Sequence, residues 1–516
     1  MTRKSVALAF VLGAMTVPGY APFYIYPLPL ITGAAIAILL LRAESTFKAA
    51  LIGFAAGLGL LTAGASWAYV SLHVYGGMTM PVAAISTFTF NAIYAVCPAI
   101  AGAIVHRIRM PATLKLLMLF PAAWALADWM RGWLFTGFPW LALGYSQAPA
   151  SPLAGFSSII GVYGVSLVSA FVAACIALVY LRVVQSRGSG NLSRWERFRS
   201  AAVSAPALLG TAVILSGFFL GTIEWTKPIG TSPTRVTLIQ GNIPQELKWK
   251  PEKAHDTLTR YLELARASQA DLIVLPETAL PMFDVDLPQG YLAKLRDHAR
   301  AIDSDLLTGV PEYAGPGTYY NSVISLGTSP SQTYRKVHLV PFGDFFPLRW
   351  ALGWLLNLLD IPMSDFSRGA TDQKPIAVAG QKVAINICYE DVFGEEIIRQ
   401  LPEATILANF TNDAWWGRSL ASRQHLQMSQ MRSLETGRPM LRATNTGVTA
   451  VIDHRGRVQQ IAPEFETTVI NAEVFGYTGS TPYSRWGNYA FLLIASALIA
   501  ASIIVSRRQA AKRPAS

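Results

Sequence analysis

Charge is what this chain has least of. Only 14% of its 516 residues are Asp, Glu, Lys or Arg, whereas 52% are hydrophobic and the mean hydropathy is +0.35. Average soluble chains carry about 25% charged residues. Acidic residues are scarcer still in the terminal parts. Residues 1–233 with 475–516 hold 19 Lys/Arg and 4 Asp/Glu, whereas 234–474 hold 23 and 27. The formal charge of +11 therefore belongs to apolar sequence. Nucleic-acid binding, the usual reading of a basic chain, has no supporting motif, and the basic residues flank apolar runs as membrane topology requires. Cysteine is nearly absent. Cys97 and Cys175 lie inside long apolar segments, and Cys388 stands alone in the polar middle, which can close no internal disulfide. There is no Cys-x-x-Cys, and the seven His are scattered, so no metal and no cofactor are expected. Repeats and low-complexity tracts are also missing, and the length is too great for one compact domain.

What is present is a series of apolar runs near the ~20 residues that cross a bilayer. They fall near Val6–Pro22, Ile25–Leu41, Ala49–Ser71, Pro81–Val105, Leu114–Met130, Ile159–Leu181, Ala201–Ile223 and Tyr489–Val505. The first is a span or, alternatively, a signal peptide behind Arg3 and Lys4; Gly19–Phe23 has no clear small-x-small cleavage site. Basic clusters at Arg3/Lys4, Arg42/Lys48, Arg107/Arg109/Lys115, Arg182–Arg199 and Arg507–Arg513 alternate with Ser71–Met80 and Arg131–Ser158, which contain only Arg131. Eight spans with both termini in the cytoplasm satisfy this alternation and place Lys227–Trp486 on the opposite, periplasmic side of a bacterial inner membrane. The expected division is 1–226 (seven spans), 227–486 (core 234–474) and 487–516 (last span and basic tail). Arg131–Ser158, aromatic and almost uncharged, reads either as a segment lying in the outer interface and lining a lipid entry path or as an ordinary aromatic belt.

The middle alternates strands and helices. Strands are expected at Thr234–Gln240, Asp271–Leu275, Asp305–Val310, Tyr320–Leu326, Gln332–Lys336, Val383–Ile387, Ala404–Ala408, Met440–Asn445 and Thr449–Asp453. Helical periodicity marks Lys253–Ser268, Tyr291–Ile302, Glu395–Leu401 and Gln424–Thr436. Such alternation points to an α/β layer fold.

Three strand ends carry reactive groups: Glu277 after Leu-Ile-Val-Leu-Pro, Lys336 after Gln-Thr-Tyr-Arg, and Cys388 after Ala-Ile-Asn-Ile. Singly, each has a bland reading as a solvated carboxylate, a surface ammonium and a small core thiol. Together they suit nucleophilic catalysis at a carbonyl. A nearby ammonium can lower the thiol pKa, a carboxylate can take and return its proton, and the ammonium with a backbone N–H can hold the oxyanion.

The flanking residues carry a resemblance. Leu-Pro-Glu-Thr around Glu277, Arg-Lys-Val-His-Leu-Val-Pro-Phe-Gly around Lys336 and Ile-Cys-Tyr-Glu around Cys388 resemble the Glu-Lys-Cys motifs of the nitrilase superfamily. Asn412-Asp413-Ala414-Trp415-Trp416-Gly417 and Arg442–Gly447 extend the match. With spans on both sides, and with Gln240–Gln245 leading to Trp249, the chain resembles the apolipoprotein N-acyltransferase family. The resemblance implies a membrane domain of about eight spans plus a nitrilase-like αββα sandwich inserted before the last span. It implies Cys388 as nucleophile, Glu277 as general base and Lys336 as stabiliser of thiolate and oxyanion. Supporting roles fall to Asp344, where the family usually has Glu, to the Tyr389 backbone N–H as oxyanion donor, and to Glu390, Trp249 and Asn412. The donor implied is a membrane phospholipid, the intermediate a Cys388 thioester, and the acceptor the α-amino group of a diacylglyceryl-modified cysteine on an apolipoprotein.

Water could hydrolyse such a thioester. Phe345–Phe366 is strongly apolar, directly follows the Lys336 motif, and is too interrupted to span. It reads either as a lid arm reaching lipid through Phe345, Phe346, Trp350, Trp354, Leu355 and Leu356, or as an amphipathic helix of the core. A tethered amidase passing acyl groups to water would need only one span. A transporter would carry ionisable residues along its spans, and here only Asp128 lies near one end.

Overall fold

The computed structural model describes residues 2–186, 200, 202–345 and 365–511. It divides into two compact units: Met1–Ser66, Ile85–Ile223 and Trp486–Ser516 form one, and Trp67–Ala84 with Glu224–Arg485 the other.

The first unit is helical, and its helices fall where the apolar runs lie. Four stretches are long and apolar enough to cross a bilayer: Thr46–Gly64, Met80–Arg107, Pro152–Gln185 and Tyr489–Ala511. Others are shorter. Pro27–Leu41 has 15 residues, about 22 Å at ~1.5 Å per residue, against a hydrocarbon core of about 30 Å. Ala205–Leu220 has 16, and Thr2–Met15 has 14 and gives way to a short 3₁₀ turn at Val17–Gly19. The run near Leu114 is a π-turn, Lys115–Leu119, followed by Phe120–Arg131. Small residues let the helices approach closely: a Cβ on Gly13 would meet the Ala56 carbonyl at 2.0 Å, and one on Gly59 the Phe10 carbonyl at 2.0 Å.

Arg131–Ser158 departs from the expected interfacial segment. Trp133 and Phe135 are exposed, but Trp140, Leu141, Ala142 and Tyr145 are buried. Polar groups hold this stretch inside the unit. Arg131 pairs with Asp128 at 2.8 Å and donates to the Trp140 carbonyl. Asp128 accepts from the Leu143 N–H and the Ser166 hydroxyl, and the Tyr20 hydroxyl donates to the Leu141 carbonyl. Asp128 thus has a buried cation and two donors, which is how a carboxylate is tolerated in such surroundings.

In the second unit, fourteen strands are described: β1 (Thr226–Pro228), β2 (Thr234–Gln240), β3 (Leu272–Val274), β4 (Asp305–Gly315), β5 (Thr318–Gly327), β6 (Thr333–Arg335), β7 (Ile376–Val378), β8 (Gln381–Ile387), β9 (Ile406–Thr411), β10 (Met440–Thr444), β11 (Ala450–Ile452), β12 (Val458–Ile461), β13 (Thr468–Val474) and β14 (Tyr477–Gly479). β1 and β14 pair alone. The rest form two six-stranded sheets, ordered β13-β2-β3-β4-β5-β6 and β12-β11-β10-β9-β8-β7. Strands β2, β3 and β4 run parallel, as do β8, β9 and β10.

Period-two alternation explains the layering. Val236 and Leu238 of β2 share one core with Val383, Ile385 and Ile387 of β8 and with Ile406, Ala408 and Phe410 of β9. The alternate residues face helices. Ile239 and Ile273 pack with Leu258 and Tyr261 of Pro251–Arg266 and with Leu295 and Ala299 of Tyr291–Ala301. Ala384 and Leu407 pack with Ile397 and with Leu426 of Ala421–Thr436. The result is helix, sheet, sheet, helix, the sandwich implied by the motifs. Five strands, β1, β7, β12, β13 and β14, were not expected, and three expected ones run on past their expected C-terminal ends. β4 and β5 extend to a long hairpin, and β9 runs through Asn409 to Thr411 because Asn409 to Thr411 register against Arg442 to Thr444.

Candidate active site

The parallel strands deliver their C-terminal ends to one region, where such sheets place chemistry. Cys388 immediately follows β8 and adopts φ +53°, an uncommon backbone conformation for a residue with a Cβ. The residue is partly exposed, its thiol hydrogen-bonds with Thr411 at the end of β9, and the Asn409 amide donates to its carbonyl at 3.0 Å. Glu277 follows β3 in a tight turn with Thr278 at φ +43°. β4 passes so close that a Cβ on Gly309 would sit 2.5 Å from the Thr278 nitrogen, so only glycine fits there. Lys336 follows β6 and is 1% exposed.

The structure brings the three together. Lys336 Nζ lies 3.6 Å from Glu277 Oε1 and 2.7 Å from Asp344 Oδ2. Asp344 thus reaches the ammonium despite its shorter side chain. The turn between them makes up the length: the Val340 N–H donates to Asp344 Oδ2, and the Asp344 N–H donates to the Val340 carbonyl. The Asn321 amide fixes Glu277 Oε1 at 2.8 Å. Burial opposes the Lys336 charge, yet Asp344 and Glu277 outweigh it and hold its pKa above the ordinary lysine value. The two carboxylates thus favour the ammonium form of Lys336.

The thiol behaves differently from the sequence expectation. Burial and the Glu277 charge push the Cys388 pKa up, and Lys336 only partly offsets them. Loss of the Cys388 proton is therefore opposed, and an attack by this sulfur requires that proton to move to an acceptor. Sequence reasoning weighed one ammonium; the structure adds burial and a carboxylate.

Glu390 is 2% exposed and so is a buried carboxylate rather than a surface one. Oε1 accepts from the Val337 N–H at 2.6 Å and the His338 N–H at 3.1 Å, while Oε2 accepts from the Ile387 N–H at 2.6 Å and the Tyr334 hydroxyl at 3.2 Å. It clamps the Lys336 segment to the residue before Cys388. Burial pushes its pKa up to about 7, and four converging donors favour the ionised form. Tyr389 is buried, with its ring edge-on to Phe393 at 5.3 Å. Asn412 accepts from the Asn445 amide and donates to Gln245, tying the stretch before Trp249 to the ends of β9 and β10. The Trp249 indole nitrogen is buried with no hydrogen-bond partner among the described residues.

Of the apolar arm, Phe345 is described and its carbonyl accepts from the Phe342 N–H; at the far end of the arm, the Asp365 N–H donates to the Asp344 carbonyl. Phe346, Trp350, Trp354, Leu355 and Leu356 lie outside the described residues.

Two features escaped the sequence reading. Lys248 ends the short helix Gln245–Lys248, is 2% exposed, and donates to the Glu277 main-chain carbonyl at 3.2 Å. Beneath Cys388 lies a buried network. Asp391 contacts His425 Nε2 at 2.5 Å and the Ser429 hydroxyl. Arg442 bonds Asp413 at 2.9 Å and Asn409 at 2.6 Å, and Asp413 accepts from Thr411. The turn Asp413–Trp416 is in turn packed by Trp67–Ala84: Ser71 donates to the Trp415 carbonyl, and the Trp67 and Trp416 rings lie 5.4 Å apart. The helix that supplies His425 and Ser429 is polar yet buried almost throughout, and its sequence carries no signal of that burial.

No group of three or more His, Cys, Asp or Glu suited to a metal occurs among the described residues. The arrangement offers a nucleophile, a carboxylate to take its proton and a fixed cation for a developing oxyanion, which is the equipment of acyl transfer.

Comparison with known proteins agrees over the whole chain. Residues 12–175 match the apolipoprotein N-acyltransferase N-terminal domain, and residues 235–483 match the carbon-nitrogen hydrolase family. The apolipoprotein N-acyltransferase of Nitrosomonas europaea is 51% identical over 497 residues, covering 96% of both chains. That of Chromobacterium violaceum is 41% identical and covers 96% of this chain and 93% of its own. That of Methylococcus capsulatus is 41% identical and covers 98% and 97%. At this identity and coverage, the chain belongs to the apolipoprotein N-acyltransferase family.

Proposed function

We propose that this protein N-acylates bacterial lipoproteins by a two-step transfer in which Cys388 carries the acyl chain between a membrane phospholipid and an apolipoprotein. The observation that carries the reading is the meeting of Lys336 with Glu277 and Asp344 at the strand ends, with Cys388 within electrostatic reach of both Glu277 and Lys336.

In the first step, Glu277 takes the thiol proton while sulfur attacks the ester carbonyl. The tetrahedral oxyanion is held by the Lys336 ammonium and the Tyr389 N–H. Collapse breaks the ester C–O bond, and the departing alkoxide takes the proton from Glu277, leaving a thioester and a lysophospholipid. In the second step, the free α-amine of the S-diacylglyceryl-cysteine attacks the thioester. An α-amine has a pKa of about 7.7–8.0, so a neutral fraction exists near pH 7. Glu277 accepts the amine proton, the C–S bond breaks, and the proton returns to the sulfur. The amide is the more stable acyl derivative, which drives the step forward. No metal or dissociable cofactor takes part.

The catalytic unit works beside its lipid donor because the chain is a multi-pass protein of the inner membrane. We read it as eight spans with both termini in the cytoplasm, residues 1–226 carrying seven spans, 227–486 facing the periplasm, and 487–516 forming the last span and a basic tail. The Lys/Arg alternation supports this topology, with the shorter helices completing the count.

The test is mass spectrometry of the full-length protein isolated from membranes. Wild type is expected to carry an acyl chain on Cys388 that hydroxylamine removes, and Cys388→Ser to carry none. A Cys388→Ser protein that retains full transfer activity would overturn the mechanism.

A further inference from the structure

The site as described holds two carboxylates, Glu277 and Asp344, against one ammonium, Lys336. Left at that, it has a net negative charge before a thiolate or an oxyanion forms, and each of those adds another. Lys248 supplies the missing cation. It is buried, makes no ion pair within 4 Å among the described residues, and its side-chain hydrogen bond goes to the Glu277 main-chain carbonyl. A buried ammonium whose direct partner is one neutral carbonyl is costly unless the surrounding field is negative. Here the field is negative. Glu277 faces it from the turn after β3 and Cys388 from the end of β8; both favour its charged form. Lys336 and Asp344 also face Glu277, and two further buried carboxylates add to the negative field, Glu390 near Lys336 and Asp413 near Cys388. Lys248 is itself held in place, because Asn412 and Asn445 bond Gln245 and Ile243 just before it, and its ammonium lies 5.9 Å from the centre of the Trp249 ring.

We propose that Lys248 is a positioning residue for acyl transfer, whose ammonium fixes the Glu277 turn and sets a second cation beside the Glu277 and Asp344 carboxylates while the thiol proton is transferred. The proposal rests on the Glu277–Lys336–Cys388 reading. It also distinguishes the two lysines. Lys336, paired with two carboxylates, keeps its charge throughout the working range, whereas burial pushes Lys248 down to about 8. Raising the pH through about 8 therefore removes the Lys248 charge, makes the site more negative, and slows attack.

The experiment measures single-turnover acylation of Cys388 in the purified full-length protein, with phosphatidylethanolamine in detergent micelles, no acceptor, and intact-mass detection from pH 6 to 9.5. Wild type is expected to lose rate between about pH 7.5 and 9. Lys248→Met is expected to acylate about 30-fold more slowly at pH 7, the order of effect of one lost charge beside a developing anion, and to show no such fall. Lys248→Arg, charged throughout, is expected to restore the rate to within about threefold and to move the fall beyond about pH 9. The half-saturating donor concentration stays unchanged in both. A Lys248→Met protein that acylates like wild type, or a Lys248→Arg protein with the wild-type high-pH fall, overturns the proposal; the Arg variant decides if the Met variant does not fold. Cys388→Ser separates the two readings: acylation persisting in that variant sinks the triad, whereas its loss alongside a wild-type Lys248→Met sinks Lys248 alone.

Discussion

Glu390→Gln is the substitution whose consequence can be worked most directly from the geometry. The carboxylate accepts four hydrogen bonds, two on each oxygen, and three come from backbone N–H groups that cannot turn away. An amide has one oxygen and one NH₂. Its better orientation keeps oxygen towards Val337 and His338 and points NH₂ at Ile387 and Tyr334. The Tyr334 hydroxyl can rotate to accept. The Ile387 N–H cannot, and loses a bond to a charged acceptor worth about 1.5–3 kcal/mol. The two remaining backbone bonds drop from charge-assisted to neutral strength, roughly halving each, for about 1 kcal/mol apiece. The total is about 4 kcal/mol. It is spread over the two segments that carry Lys336 and Cys388, so the expected result is a lowered thermal midpoint together with a fall in Cys388 acylation of about 100-fold or more. Alanine is expected to be worse, because it leaves three buried N–H groups without acceptors. The assay pairs a thermal melt of the detergent-solubilised protein with acyl-enzyme formation from phospholipid. A Gln variant that melts and acylates like wild type would show that the clamp does not hold the site together.

Other perturbations test neighbouring claims. Because burial and Glu277 hold the Cys388 pKa up, alkylation by iodoacetamide should rise steadily from pH 6 to 9 without a plateau; a low-pH plateau would mean a resting thiolate. Asp344→Asn removes the 2.7 Å partner of Lys336 and leaves the ammonium to close on Glu277, tying up the base. Acylation should fall about 10- to 100-fold with little change in melting, and an unchanged rate would refute the role given to Asp344. Arg442→Met leaves the buried Asp391 and Asp413 with His425 as their main counter-charge and should destabilise the protein by about 3–5 kcal/mol, read as a lower thermal midpoint; an unshifted melt would contradict the network.

Cys388, Glu277 and Lys336 were legible because each ends an extended run, and the strand pattern is local in sequence. The cores on either face of β2, β3, β8 and β9 follow from the same alternation. Lys248 was not legible: Gln-Glu-Leu-Lys-Trp reads as a polar turn, and its burial is set by contacts to Glu277, far away in sequence. The sense of the Cys388 shift was missed for a related reason, since burial and a carboxylate from β3 enter only once the strands are assembled.

The polar helix Ala421–Thr436 is the instructive case. Its buried Gln424, His425, Gln427, Ser429, Gln430 and Arg432 present no apolar stripe, and periodicity alone gives no reason to bury them. The reason starts at the nucleophile. A residue held at φ +53° at a strand end has to be fixed by its neighbours, and the groups that fix Cys388 are polar: the Asn409 amide on its carbonyl and Thr411 on its sulfur. Those groups are buried, so they need partners of their own. Asn409 turns to Arg442 and Thr411 to Asp413. Arg442 and Asp413 are charged, so they require further charges and donors, which His425 and Ser429 of the helix supply together with Asp391. Each satisfied group passes its demand outward until the helix itself has to be polar on its inner face. The composition of that helix thus follows from the partners that the Cys388 backbone requires at the end of the sheet on which the helix packs.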